Sequence, residues 1–173
     1  PGKGDLTENL INICGSYFGI EVDKDLLVFL RNKFPKNKIA FIDGDILKLN
    51  PSEIYASNEF RVVGNIPYNI SSPILDWCEK HYEKIYDMHF MLQKEFALRC
   101  AGNERTSSYG KLSVICNYLY EVTILKEVSK DFFYPMPKID SLFVRFSPKK
   151  KKVNQTELQN LKRVTRALFN KKR

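Results

Sequence analysis

The chain has 173 residues, 43% hydrophobic and 28% charged, proportions that exclude wholesale disorder and suit one domain with at most a short appendage. No run approaches the roughly eighteen apolar residues of a membrane-spanning helix, and no basic start followed by an apolar stretch marks a signal peptide, so a cytoplasmic protein is expected. The net charge of +8 is uneven: residues 149–173 hold ten basic residues and one acid, while residues 1–148 hold 18 basic and 19 acidic ones.

In chain order, short apolar strands alternate with helical stretches. Residues 16–21 (SYFGIE) read as a strand ending on an acid, and 25–32 as a helix with Leu26, Leu27 and Leu30 on one side. A second strand, 39–42 (IAFI), closes on Asp43-Gly44-Asp45, and a third, 61–64 (RVVG), closes on Asn65-Ile66-Pro67-Tyr68. Residues 73–80 form the next helix, with proline at its start. Residues 88–93 (MHFMLQ) are a fourth strand, 111–120 a helix with Leu112, Ile115 and Leu119 at helical spacing, and 122–128 and 141–146 the last two strands. Such alternation predicts an α/β domain with a mainly parallel sheet. Residues 149–152 (KKKK) read as a linker. Residues 154–173 read as a helix with Leu158, Leu161, Val164 and Leu168 in a stripe, opened by Asn154 and Glu157 as a capping box or by Thr156 as the cap.

The four cysteines, Cys14, Cys78, Cys100 and Cys116, form no C-x-x-C pair, and the two histidines are His81 and His89. Structural zinc needs close ligand pairs, so no metal is expected, and unpaired thiols fit a reducing compartment. The basic end fits a polyanion partner; a solubilising tail or a solvated helix face explains it equally well.

In open α/β sheets, ligands sit at the carboxyl ends of the strands. Glu21, Asp45 and Asn65 are the polar residues expected there. Gly2-Lys3-Gly4 followed by Glu21 fits a nucleoside cofactor, the carboxylate accepting from the two ribose hydroxyls. A tight turn is the alternative for the glycines. Asp45 is placed to reach a cofactor adenine, or else to cap a helix.

Asn65-Ile66-Pro67-Tyr68 carries the chemistry. The exocyclic amine of adenine is a poor nucleophile because its lone pair is delocalised into the ring. Two acceptors, the Asn65 side-chain oxygen and the Ile66 carbonyl, can hold its N–H groups and localise that lone pair. Pro67 fixes the turn, and Tyr68 offers a face on which an extruded base can stack. A sulfonium methyl donor needs no activation, so catalysis reduces largely to positioning and electrostatics. A β-turn with a buried tyrosine is the plain alternative.

The run Val63-Gly64-Asn65-Ile66-Pro67-Tyr68-Asn69-Ile70-Ser71-Ser72-Pro73 resembles the signature of the ribosomal RNA adenine dimethyltransferase family. So do Met91-Leu92-Gln93-Lys94-Glu95, Tyr109-Gly110-Lys111-Leu112-Ser113 and Phe133-Tyr134-Pro135-Met136-Pro137-Lys138-Ile139-Asp140-Ser141, in the family's order. Pro1-Gly2-Lys3-Gly4-Asp5-Leu6-Thr7 is similar to the end of its cofactor loop. The resemblance implies a Rossmann-like class I methyltransferase sheet, mostly parallel with an antiparallel last strand. It implies an S-adenosylmethionine-dependent enzyme that dimethylates two adjacent adenines near the 3′ end of small-subunit ribosomal RNA during ribosome biogenesis. Gly2 and Glu21 would hold the cofactor loop and ribose, Asp45 with Ile46 the cofactor adenine, and Asn65 the reacting edge. Phe133 would face Tyr68 across the base, ordinary core packing being its alternative.

The same resemblance makes residues 1–148 the catalytic domain, lacking its first strand, and 149–173 a basic linker and the first helix of an RNA-binding domain. Lys149, Lys150, Lys151, Lys152, Arg163 and Arg166 would meet RNA phosphate. A monomer acting on a pre-ribosomal particle is expected, and a chain with these bounds is expected to methylate poorly. Competing readings are a large-subunit enzyme of the erythromycin-resistance type, a DNA adenine methyltransferase, a transcription factor that kept the fold without the reaction, and, distantly, a dehydrogenase.

Overall fold

The structure, a computed structural model, describes residues 1–34, 39–54, 59–149 and 153–169. Two compact units divide the chain, Pro1–Ser57 and Asn58–Arg173. Each is described by itself.

In the first unit, Gly4 takes a left-handed φ of 85° and opens helix α1 (Asp5–Leu10). A Cβ at Gly4 would lie 2.6 Å from Phe34 Cε2 and 3.0 Å from Leu30 Cδ2, so only glycine fits this turn. Strand β1 (Tyr17–Glu21) runs parallel to β2 (Ile39–Asp43), in register from Tyr17↔Ile39 to Glu21↔Asp43. The crossover carries α2 (Lys24–Lys33), whose N-terminus is capped by the Asp23 carboxylate, accepting from the Asp25 and Leu26 amides. Leu27, Leu30 and Phe34 form its buried face. Thr7 is fully buried, its Oγ1 2.8 Å from the Tyr17 hydroxyl. A single turn, α3 (Pro51–Ile54), follows.

The second unit is built on a four-stranded sheet. Strand β3 (Phe60–Asn65) leads into α4 (Ser71–Lys80), then β4 (Ile85–Gln93), α5 (Lys94–Ala101), α6 (Lys111–Leu119), β5 (Tyr120–Val128) and β6 (Ser141–Pro148). The sheet order is β3-β4-β6-β5; β3 and β4 are parallel, and β6 is antiparallel to both its neighbours. Met88, Phe90, Leu92, Leu142, Val144 and Phe146 alternate onto one face and are essentially inaccessible. Ile74, Leu75, Trp77 and Cys78 give α4 a buried stripe.

The sequence reading of β4 began three residues late. The reason is Asp87, a charged residue that breaks the apolar run but is buried in the strand. Arg61 on β3 forks onto it with bonds of 2.5 and 2.9 Å, a partner 26 positions away that no local pattern reveals. Helices α1 and α5 were not anticipated at all.

Helix α7 (Gln155–Phe169) is capped by Asn154, whose Oδ1 accepts from the Thr156 and Glu157 amides. The capping box is only half made, because the Glu157 carboxylate accepts from the Tyr118 hydroxyl. The helix seats Leu158 and Thr165 in the interior, while Val164 and Leu168 of the expected stripe are exposed. Thr165 can be buried because its hydroxyl donates to the Leu161 carbonyl at 2.8 Å. Residues 170–173 of the predicted helix lie outside the described residues.

Candidate active site

Strand β1 delivers Glu21 to its carboxyl end. Its Oε2 accepts from the Gly2 amide at 2.9 Å, and Oε1 accepts from the amides of Val22 and Asp23 at 2.9 and 3.0 Å. The carboxylate thus ties the glycine turn to the strand end and holds its own following turn. Gly2 has φ 55°, and a Cβ built there meets nothing within 4 Å, so this backbone is open to close approach. Asp45 lies two residues beyond β2. Its carboxylate accepts from the Leu47 amide at 3.0 Å and caps the 3₁₀ turn Ile46–Lys48, the capping role weighed for it above. These placements are compatible with a nucleoside ligand: an acid at one strand end, an open glycine turn, and a second acid after the next strand.

In the second unit, the parallel pairing of β3 continues past its end, the Ile66 amide donating to the Met91 carbonyl at 3.2 Å. Gly64 leaves room for the Ile66 side chain, since a Cβ there would sit 2.8 Å from Ile66 Cδ1. Ile66 is therefore anchored by its side chain and its N–H. Pro67, at φ −55° and ψ 136°, directs the chain into the 3₁₀ turn Tyr68–Ile70, closed by the Ile70 amide on the Pro67 carbonyl at 3.0 Å. Asn65 is exposed. Among the described residues, no hydrogen bond engages its carboxamide or the Ile66 carbonyl. Two acceptors on a rigid turn are left for something else.

Tyr68 is 39% exposed, with its hydroxyl 3.5 Å from Ser141 Oγ, the outer limit of a hydrogen bond. Ser141 starts β6 opposite Gln93, the last residue of β4. The β5–β6 loop therefore arrives at the same end of the sheet as Asn65–Tyr68. Phe133, half-buried, lies in that loop, its amide donating to the Lys130 carbonyl at 3.1 Å. The Asp140 carbonyl accepts from the Lys94 amide at 3.0 Å, and the Lys94 ammonium pairs with Glu127 on β5, whose carboxylate raises the lysine's pKa. Ser141 was missed as a support for Tyr68, since 73 positions separate them.

The Tyr109–Ser113 segment has a structural explanation. Ser113, fully buried, accepts from the Gly110 amide at 3.1 Å and donates to the Arg99 carbonyl at 2.7 Å, tying the α5–α6 loop to α5.

Of the expected RNA contacts, Arg163 and Arg166 are exposed on α7. Lys149 is occupied: its ammonium donates to the Asn117 carbonyl at 2.5 Å and its amide to the Leu119 carbonyl at 2.9 Å. Lys150, Lys151 and Lys152 lie outside the described residues. Among the described residues, no group of three His, Cys, Asp or Glu side chains could hold a metal ion, and no helix is long and apolar enough to cross a membrane.

Parallel strands joined by helices, ligand-type residues at their carboxyl ends and an antiparallel last strand define a Rossmann-like α/β methyltransferase fold. The solved dimethyladenosine transferase of Plasmodium falciparum superposes with a TM-score of 0.83 at 28% identity, covering 99% of this chain and 62% of that one. The 23S rRNA methyltransferase ErmE does so with 0.77 at 29% identity, covering 95% and 66%. The chain belongs to the ribosomal RNA adenine dimethylase family, whose model matches residues 1–173. Curated relatives named ribosomal RNA small subunit methyltransferase A are 39% identical over 150 residues in Coxiella burnetii (strain RSA 331 / Henzerling II) and 37% identical over 174 residues in Nitrosospira multiformis. This chain covers 58% and 66% of their respective lengths.

Proposed function

We propose that the protein transfers methyl groups from S-adenosylmethionine to the exocyclic amines of two adjacent adenines near the 3′ end of small-subunit ribosomal RNA. The observation that carries this reading is the Asn65–Tyr68 turn, with two unengaged acceptors on a backbone held by Ile66 and Pro67 beside a half-exposed tyrosine. The cofactor supplies an electrophilic methyl. Everything else falls to the chain. Asn65 Oδ1 and the Ile66 carbonyl accept hydrogen bonds from the amine N–H groups and direct the nitrogen lone pair, the proton displaced by each methyl passing to solvent once the nitrogen is alkylated, and Tyr68 and Phe133 stack on the everted base. Gly2 and Glu21 hold the cofactor's loop and ribose side, and Asp45 with Ile46 its adenine; Asn65 also borders the cofactor.

Residues 1–148 act as the catalytic domain in this reading, and 149–173 begin the RNA-binding part. Arg163 and Arg166, with the lysines at 150–152, neutralise phosphate, Lys149 being engaged by the Asn117 carbonyl. The substrate is a pre-ribosomal particle in the cytoplasm, and the enzyme acts as a monomer. Likeness to a large-subunit enzyme at a TM-score of 0.77 supports a second reading, methylation of large-subunit adenine.

One assay separates the two. The full protein is incubated with methyl-labelled cofactor and, in parallel, immature small subunits, large-subunit RNA and duplex DNA. Label confined to dimethyladenine in small-subunit RNA is the expected result. Label in large-subunit RNA alone establishes the second reading, and label in duplex DNA overturns both.

A further inference from the structure

The β5–β6 loop displays apolar surface that the reaction does not use. Tyr134 is fully exposed, Phe132 is 83% and Met136 62% accessible, and Ile139 adds to them. A single exposed apolar side chain is ordinary, but several within eight residues make a patch that marks an interaction site.

The loop is also closed at its base. The Lys130 amide donates to Asp140 Oδ1 at 3.0 Å, the Asp131 amide to Ser129 Oγ at 3.3 Å, and the Asp140 carbonyl is held by the Lys94 amide. Pro135 and Pro137 stiffen the span between. An aromatic ring presented on a pre-ordered loop loses little entropy on binding. The loop carries two lysines and two aspartates, and the two kinds of group are differently disposed. Asp140 and Asp131 are engaged inside the loop, Asp131 Oδ2 accepting from Ser129 Oγ at 2.8 Å, whereas no ion pair is found for Lys130 or Lys138 among the described residues. The loop enters β6 at Ser141, the residue beside the Tyr68 hydroxyl.

We propose that Tyr134, flanked by Phe132 and Met136, is a stacking platform for the unpaired RNA nucleotide next to the adenine that enters the Tyr68 site, with Lys130 and Lys138 taking its phosphates. The proposal rests on the adenine-methylation reading and extends it to the neighbouring nucleotide. A solvent-facing ring on a loop that also carries Lys130 and Lys138 offers the two recognition elements of single-stranded RNA: a base face and a backbone charge. Tyr134 is in this account a positioning residue.

The test is a binding cycle on the full protein with a short single-stranded RNA carrying the reacting adenine and its unpaired neighbour, and the same RNA with the neighbour's base removed. Tyr134→Ala is expected to weaken binding of the intact RNA about tenfold, within the range of one stacked base. It should weaken binding to the abasic RNA no further, because both changes delete the same contact. Tyr134→Trp should bind as wild type. Because Tyr134 is fully exposed, an unchanged thermal melt is expected for either variant. Wild-type affinity in Tyr134→Ala overturns the proposal, as do losses that simply add. Normal RNA binding with lost engagement of a small-subunit particle also overturns it, assigning the patch to a protein. Asn65→Ala separates the two layers. Full turnover in that variant defeats the methylation reading whatever Tyr134 does, whereas lost turnover without Tyr134 coupling defeats only this inference.

Discussion

The two units differ in what holds them together. The second buries Met88, Phe90, Leu92, Val144 and Phe146 completely in a four-stranded sheet, with Phe90 and Phe146 ring centroids 6.1 Å apart. The first has a two-stranded sheet, and among its described residues the large buried apolar side chains are Leu27, Leu30 and Phe34. A two-stranded sheet with so small a core is marginal by itself. The difference follows the division of labour proposed here. The acceptors and rings that must be rigid stand on the dense unit. The glycine turn and Glu21, proposed to hold the cofactor, stand on the sparse one.

The sharpest way to break this comparison is to open the dense core. Phe90→Ala is expected to cost about 3–5 kcal/mol in a urea titration, as for a large buried aromatic with little room to relax. A loss below about 1 kcal/mol would mean the second unit is not packed as described. In the sparse unit the expected effects are smaller and graded by contact. Gly4→Ala combines a left-handed φ with a 2.6 Å approach to Phe34 and should cost about 2–3 kcal/mol. Gly2→Ala, with the same handedness but open space, should cost about 1 kcal/mol. Equal losses at the two glycines would remove the packing argument for Gly4.

The smallest effect concerns pH, and it belongs to the second unit alone, which holds both histidines. Burial pushes the His89 pKa below 6.5, opposed by Asp87 at 3.5 Å and reinforced by Arg61 and Arg145. Burial does the same at His81, aided by Lys80 and Lys84. A folded-state pKa below the unfolded value means the unfolded chain binds protons first as pH falls. Stability from these sites is therefore fully present above about pH 6.5 and is lost as pH drops through it. The melting temperature should fall slightly between about pH 7.5 and about pH 5.5, and less in a His81→Phe/His89→Phe variant. An unchanged slope in that variant would place the titration elsewhere.

Much of this was legible locally. The β1, β2 and β3 cores, Glu21 at its strand end and the Asn65–Tyr68 turn all follow from apolar runs punctuated by Gly, Pro and Asp. What was hidden depends on distant partners. Asp87 reads as a strand breaker until Arg61 neutralises it, and Ser141 is silent until the topology brings it to Tyr68. Helix α5 follows β4 with no glycine or proline between them, so periodicity had no boundary to detect. On α7, the apolar stripe was visible, but which edge of it is covered was decided by how Leu158 and Thr165 seat.

The central claim is that Asn65 holds the reacting amine and does little for RNA affinity. Single-turnover methylation by Asn65→Ala, measured beside its RNA affinity, tests it most directly. The account predicts wild-type binding with a rate reduced about a hundredfold or more, the usual loss when a group positioned for the transition state is removed. A variant that methylates at the wild-type rate would contradict it.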